Sequence, residues 1–194
     1  MIRGRTAGRA RAVAALGGLA LLTVVLALRP TGAGATVLVE LGVAELTRGA
    51  EAVVHGTVIR VGSRLHRRRA EPETLVEVRV ARRLAGAAGP VVRLRERGGS
   101  SGGRTVRVHG VPTFAPGEEG VVFLERRPSG RRDLRTLGMA QGKLRVVRGQ
   151  AGEALVARDL GDVALVRAPV CAPPFPRTLE ALVREVARLR GADR

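Results

Sequence analysis

Hydrophobic positions follow three regimes along this chain. Residues 12–28 form one uncharged, mostly apolar run, AVAALGGLALLTVVLAL. Between residues 36 and 166 the apolar positions come in short bursts, separated by polar or glycine-rich breaks. From residue 178 they return at helical spacing, with Leu179, Leu182, Val183, Val186 and Leu189 on one stripe.

The middle regime predicts strands. Residues 36–41, TVLVEL, are an extended apolar opening. In 43–50, Val43, Leu46 and Ala50 lie at helical spacing with Glu45 and Arg48 opposite, which predicts one or two helical turns. Residues 52–61, AVVHGTVIRV, are rich in β-branched side chains and broken once by Gly56, a strand with a bulge or sharp bend. A polar loop is expected over 62–73. Period-two alternation over 74–84 puts Thr74, Val76, Val78 and Val80 on a buried face and Glu77, Arg79 and Arg83 toward solvent. A turn at 86–89 leads to a strand over 90–97 with Val92 and Leu94 inside. GGSSGG, residues 98–103, reads as a flexible loop, 105–109 as a short extended run, and 110–119 as a turn-rich connection. GVVFLER, residues 120–126, predicts a strand with Phe123 in the core, and a turn at 128–130 ends it. Further strands are expected at 144–147, 154–157 and 163–166. CAPPFP, residues 171–176, is a linker stiffened by proline. In the helix that follows, Thr178 is the expected N-cap, Glu180 and Arg184 stand at i,i+4, and Arg188 and Arg190 suit the C-terminal end of the dipole.

Short strands with frequent turns, and no alternation with helices, predict a mainly β fold: a small OB-like barrel or sandwich. One short N-terminal helix precedes it and a C-terminal amphipathic helix follows. The expected organisation is 1–35 signal peptide, 36–167 β-barrel domain, 168–177 Pro-rich linker and 178–194 C-terminal helix. No repeat period points to a propeller.

The first regime is an export signal by its parts. Arg3, Arg5, Arg9 and Arg11 precede the apolar run, Arg29-Pro30 ends it, and Ala33-Gly34-Ala35 is a small-x-small exit. Cleavage is expected after Ala35, giving a periplasmic or extracellular protein. The alternative is an uncleaved anchor, and membrane contact is expected only in that case. The run of 17 residues falls short of the roughly 20 that span a bilayer.

Composition alters one part of this picture. The 194 residues carry a net charge of +17, which invites a nucleic-acid reading. All but one of the 34 basic residues are Arg, as a GC-rich codon bias produces, and five leave with the signal. Single-stranded nucleic acid also needs aromatic platforms, whereas the chain has three Phe and neither Trp nor Tyr. Nucleic acid is therefore not the expected partner. The basic residues that remain concentrate at two predicted turns: Arg64, Arg67, Arg68 and Arg69, and then Arg126, Arg127, Arg131 and Arg132.

Motifs for catalysis are weak. Ser100 and Ser101 each sit in a G-x-S-x-G pattern, but an extended segment follows where a nucleophile elbow needs a helix. His55, His66 and His109 lack any metal-ligand spacing. Glu118 and Glu119 are adjacent, so on a strand they face opposite ways, and one is expected to cap the preceding turn. Asp159 and Asp162 are too few for calcium. Gly142-Lys143 lacks the first glycine and the Ser or Thr of a phosphate loop. Cys171 is the only cysteine, so no intrachain disulfide forms, and it is free or paired with another chain. No metal or cofactor is expected.

The succession VAELTRGAEAVVHGTVIRV, TLVEVRVARRLAG, VHGVPTFAPGEEGVVFLERR and LGMAQGKLRVVR resembles a group of uncharacterised exported bacterial proteins with a small β-barrel. More distantly, the residues 52–61 and 76–86 are similar to two segments of netrin-like domains, the tissue inhibitors of metalloproteinases among them. That similarity implies a five-stranded OB-type barrel. It implies no zinc chelation, since those inhibitors use an N-terminal Cys and several disulfides, and here the expected N-terminus is Thr36.

Three functions stay open on these grounds. The first is an exported, non-enzymatic barrel module that binds a protein or an envelope polymer. The second is a polyanion or envelope-surface binder acting through the two Arg clusters. The third is a hydrolase whose residues converge only in three dimensions.

Overall fold

The computed structural model describes residues 36–66, 70–127, 133–161, 163–166 and 174–192. Residues 1–35, read above as the expected signal peptide, and Arg67, Arg68, Arg69, Arg131, Arg132, Asp162 and Cys171 lie outside them. In chain order the elements are β1 (Thr36–Val39), α1 (Val43–Gly49), β2 (Ala52–Leu65), β3 (Pro72–Gly86), β4 (Val91–Arg97), β5 (Gly99–Ser101), β6 (Arg104–Val106) and β7 (Glu119–Arg126). Then come β8 (Leu134–Thr136), a 3-10 turn (Met139–Gly142), β9 (Lys143–Arg148), β10 (Ala154–Arg158), β11 (Val163–Val166) and α2 (Leu179–Ala192).

Five strands close a barrel. β7, β2, β3 and β4 pair antiparallel in that order, β8 joins β4 in parallel at Leu94–Leu134, and β8 returns antiparallel to β7. The edge of β7 is shared: Leu124–Arg126 takes β8, and Gly120–Val122 takes β9, which carries β10 outward. Register shifts mark three bulges between β2 and β3. The additional residue is Ile59 of β2 at Val58/Arg60, but Leu84 and Ala81 of β3 at Val53/Val54 and His55/Gly56. The irregularity beside Gly56 therefore lies in the partner strand and not in β2, where the sequence predicts it.

Alternation along β2 and β7 sorts side chains into two cores. Ala52, Val54 and Val58 point inward with Val122 and Leu124, meeting Val76, Val78, Val92 and Leu94 in the barrel interior. Val53, Val121 and Phe123 point outward, meeting Leu46 of α1 and the stripe Leu179, Leu182, Val183, Val186 and Leu189 of α2. Both faces of these strands are therefore buried, which explains why AVV and VVFL are unbroken apolar runs. Thr178 caps α2 as expected, accepting the Ala181 N–H at 3.2 Å. Arg190 donates to the Ala50 carbonyl beyond the end of α1, tying the two helices together. Glu180 contacts Arg82 of β3 at 3.6 Å, whereas its expected partner was Arg184.

Two expected loops are strands. The polar loop at 62–73 shrinks to 66–71, because β2 and β3 keep pairing beyond the barrel through Ser63–Thr74, Arg64–Glu73 and Leu65–Pro72. Polar side chains clothe those arms, so hydrophobic periodicity does not reveal them. The segment GGSSGG opens the β5–β6 hairpin, with Ser100 opposite Thr105. Its turn is Gly102-Gly103 at φ +60° and +70°, the two left-handed positions that a type I′ hairpin turn requires.

Candidate binding site at the open end of the barrel

The β2–β3 arms, the β5–β6 hairpin and residues 107–114 surround a cleft of about 620 Å³, whose wall also takes in Asp159 and Leu160. Ser100 N–H reaches the Ser63 hydroxyl at 3.4 Å, and the Ser100 and Thr105 hydroxyls meet at 2.9 Å. Thr74 donates to the Gly98 carbonyl at 2.9 Å. The serines of the G-x-S-x-G patterns are thus hairpin residues, and neither precedes a helix.

Glu96 is the buried polar group of this cleft. It follows Val92 and Leu94 on the inward face of β4, and it is 5% exposed. Its Oε1 accepts both the N–H and the hydroxyl of Thr136, each at 2.8 Å. Burial pushes the carboxyl above its ordinary range, against the opposing effect of the Thr136 hydrogen bonds and the Arg127 and Arg135 charges. A carboxyl raised on folding binds protons more readily in the native state. Stability from this group is therefore retained at low pH and lost as pH rises from the ordinary carboxylate range through the raised value. Glu96→Gln keeps the acceptor for Thr136 and removes the titration. Relative to wild type, this variant should gain stability as pH rises above the ordinary carboxylate range, read as the difference in urea midpoints. A difference that stays constant with pH would contradict the assignment.

Beside the cleft lies a pocket of about 80 Å³ that shares Arg97, Gly98, Val106 and Val108 with it and is lined by Glu73, His66 and Arg127. Glu73 is 3% exposed. Arg64 reaches it at 2.9 Å, Arg127 at 3.4 Å and Arg95 at 3.8 Å, and Arg95 also holds Asp133 at 3.0 Å. Arg64 and Arg127 come from the two separate clusters of the sequence, so the fold brings one member of each to the same carboxylate. His66 and Arg127 each stand next to the stretches that carry the remaining arginines. Arg126 points elsewhere and pairs with Glu51, its Nε at 2.9 Å. Glu73 was not singled out in the sequence; one acid opposite Arg64 in a hairpin was the available signal.

The other sequence candidates are engaged in the framework. Glu118 accepts the Ala115 N–H at 3.1 Å, which is the expected turn cap, and binds Lys143 at 2.7 Å. Lys143 also donates to the Thr113 carbonyl and stands 4.8 Å from the Phe114 ring centre. Glu119 instead takes His55 at 2.8 Å and Arg148 at 3.7 Å. Gln141 accepts the Leu41 N–H at 2.7 Å and donates to the Val39 carbonyl at 3.0 Å, stitching the N-terminal strand to the barrel. Gly142 is where the backbone passes so close to Leu137 that a Cβ would overlap its carbonyl oxygen. The sequence blocks G-x-P-x-F-x-x-G-E and Q-G-K are in this way one structural unit.

Among the described residues no three His, Cys, Asp or Glu side chains form a metal-binding group, and no helix is long and apolar enough to cross a membrane. The fold and site define a closed five-stranded barrel backed by two helices, with a polar cleft at an arginine-rich end. No protein-family model matches the chain, and no curated protein matches it either.

Proposed function

We propose that this is an exported, non-enzymatic barrel module that binds an anionic macromolecule, such as an envelope polymer, through the two arginine segments. One observation carries the reading: Arg64 and Arg127, one from each segment, meet on the same carboxylate. The strand order also supports an OB-type barrel, the fold that the similarity to netrin-like domains implies. Counting β2, β3, β4, β7 and β8 as strands one to five, the ring runs one-two-three-five-four, with three and five parallel. The β2–β3 and β7–β8 connections then correspond to the two loops with which OB barrels bind polymers, and they are the arginine segments. Nucleic acid is disfavoured because the three phenylalanines offer little stacking surface. Phe123 is fully buried, Phe114 is paired with Lys143, and Phe175 with Arg158 at 4.1 Å.

The test is retention of the full-length product on an immobilised acidic polysaccharide across a salt series. Affinity should fall steeply with salt. Replacing Arg67, Arg68, Arg69, Arg131 and Arg132 by Ser should flatten the slope. Salt-insensitive retention would instead favour contact through the apolar face of β1 and β11, where Val37, Val39 and Val166 are exposed.

A further inference from the structure

We propose that the cleft at the barrel mouth is a second, separate subsite that takes the terminal residue of an acidic saccharide. It rests on the reading above in that it names the class of polymer.

The shape comes first. The cleft is blind, because Val76, Val78, Val92 and Leu94 fill the barrel interior and are at most 5% exposed. Its volume of about 620 Å³ lies within the roughly 300–1,000 Å³ of small-molecule sites. A polymer crossing the face would run past such a cavity, whereas a chain end fits into it.

The lining sets the chemistry. Polar and apolar groups are interspersed: Val61 and Phe114 on the walls, the Ser63 and Thr105 hydroxyls at the hairpin, and the Glu96 carboxyl within. A sugar ring presents the same mixture of C–H faces and hydroxyls. A fatty chain is disfavoured because it would leave the buried Glu96 carboxyl without a hydrogen-bonding ligand. Glu96 spends Oε1 on Thr136, and its Oε2 is the atom that can accept a hydrogen bond from a sugar hydroxyl, an acceptor that Gln would replace with an amide donor. Arg97 is an exposed guanidinium on the same wall, suited to a bidentate hold on a carboxylate. Arg107 also lines the cleft, and Asp159 opposes these positive charges. The neighbouring arginines on Glu73 keep the wider field positive.

The experiment is calorimetric titration of the full-length product with a galacturonate trimer. The comparison arms are a neutral glucose trimer, inorganic phosphate and a short oligothymidylate. Saturable binding of the galacturonate trimer alone is expected. Arg97→Ala, a surface change, should weaken it about tenfold, the scale of one charged hydrogen bond. Glu96→Gln should weaken it as well. Arg93→Ala, on a side chain 81% exposed and directed to Glu77, should leave it unchanged. Failure of the trimer to bind, equal binding by Arg97→Ala, or equal binding of the neutral trimer overturns the proposal. Binding of phosphate or oligothymidylate that displaces the trimer overturns it in favour of a general anion site. The two readings fail separately: the five-arginine variant should lose polymer retention and keep trimer binding, and Arg97→Ala the reverse.

Discussion

Replacing Lys143 by Met should destabilise the protein by about 3–5 kcal/mol, as removal of one partner of a buried ion pair does. Lys143 is 4% exposed and is the only lysine in the chain. Its ammonium meets the Glu118 carboxylate, the Thr113 carbonyl and the Phe114 ring. Met fills similar volume but leaves Glu118, with a side chain 13% exposed, facing an apolar neighbour. Urea unfolding should show the loss as a shifted midpoint at constant slope. Adding Glu118→Gln should recover most of it, because the stranded charge is then gone. A single-variant loss below about 1 kcal/mol would place the pair among surface bridges of little consequence. Lys143→Arg should also lose stability. A planar fork does not replace a compact three-donor ammonium in a buried slot. This accounts physically for one lysine in a chain that otherwise uses arginine.

Phe123→Ala should cost about 3–5 kcal/mol, through lost burial and the cavity left behind. Phe123 is fully buried on the outer face of β7. There it packs in the cluster that contains Leu46 of α1 and the stripe of α2. The cavity opens between barrel and helices and not inside the ring. Amide exchange in α2 should therefore accelerate more than exchange in β3 and β4. Leu94→Ala, in the barrel interior, should give the opposite order at a cost of about 2–5 kcal/mol. Uniform acceleration in both variants would mean that the two cores unfold as one unit. Either loss is a large share of the roughly 5–15 kcal/mol by which domains are stable.

Much of the fold was legible where burial writes a period into the chain. The stripe of α2 is the stripe that the spacing predicts, and all five of its residues are buried. Val76 and Val78 in β3, and Val92 and Leu94 in β4, are buried as the alternation predicts. Legibility fails where polar side chains clothe paired backbone. The β2–β3 arms beyond Val61 carry Ser63, Arg64 and Glu73, and β5 carries Gly and Ser, so both stretches read as loops. Hydrogen bonding of the main chain builds these elements, and it leaves no hydrophobic signature.

The site was legible only as pieces. Arg64 and Arg127 were visible as members of two basic turns, and Glu118 as a turn cap. That Arg64 and Arg127 share Glu73 follows from closure of β8 on both β4 and β7, a contact between segments distant in sequence. Glu96 was unremarked because its position on β4 continues an alternation that polar neighbours conceal.

By itself, then, the sequence determined the strand-rich class, the terminal amphipathic helix and the inward faces of the central strands. These follow from local spacing of apolar residues and the water they avoid. Tertiary structure alone decided that the strands close into a ring, that the one lysine is buried, and that Arg64 and Arg127 meet on Glu73. Those features depend on which distant segments pair, and local periodicity holds no information about the partner.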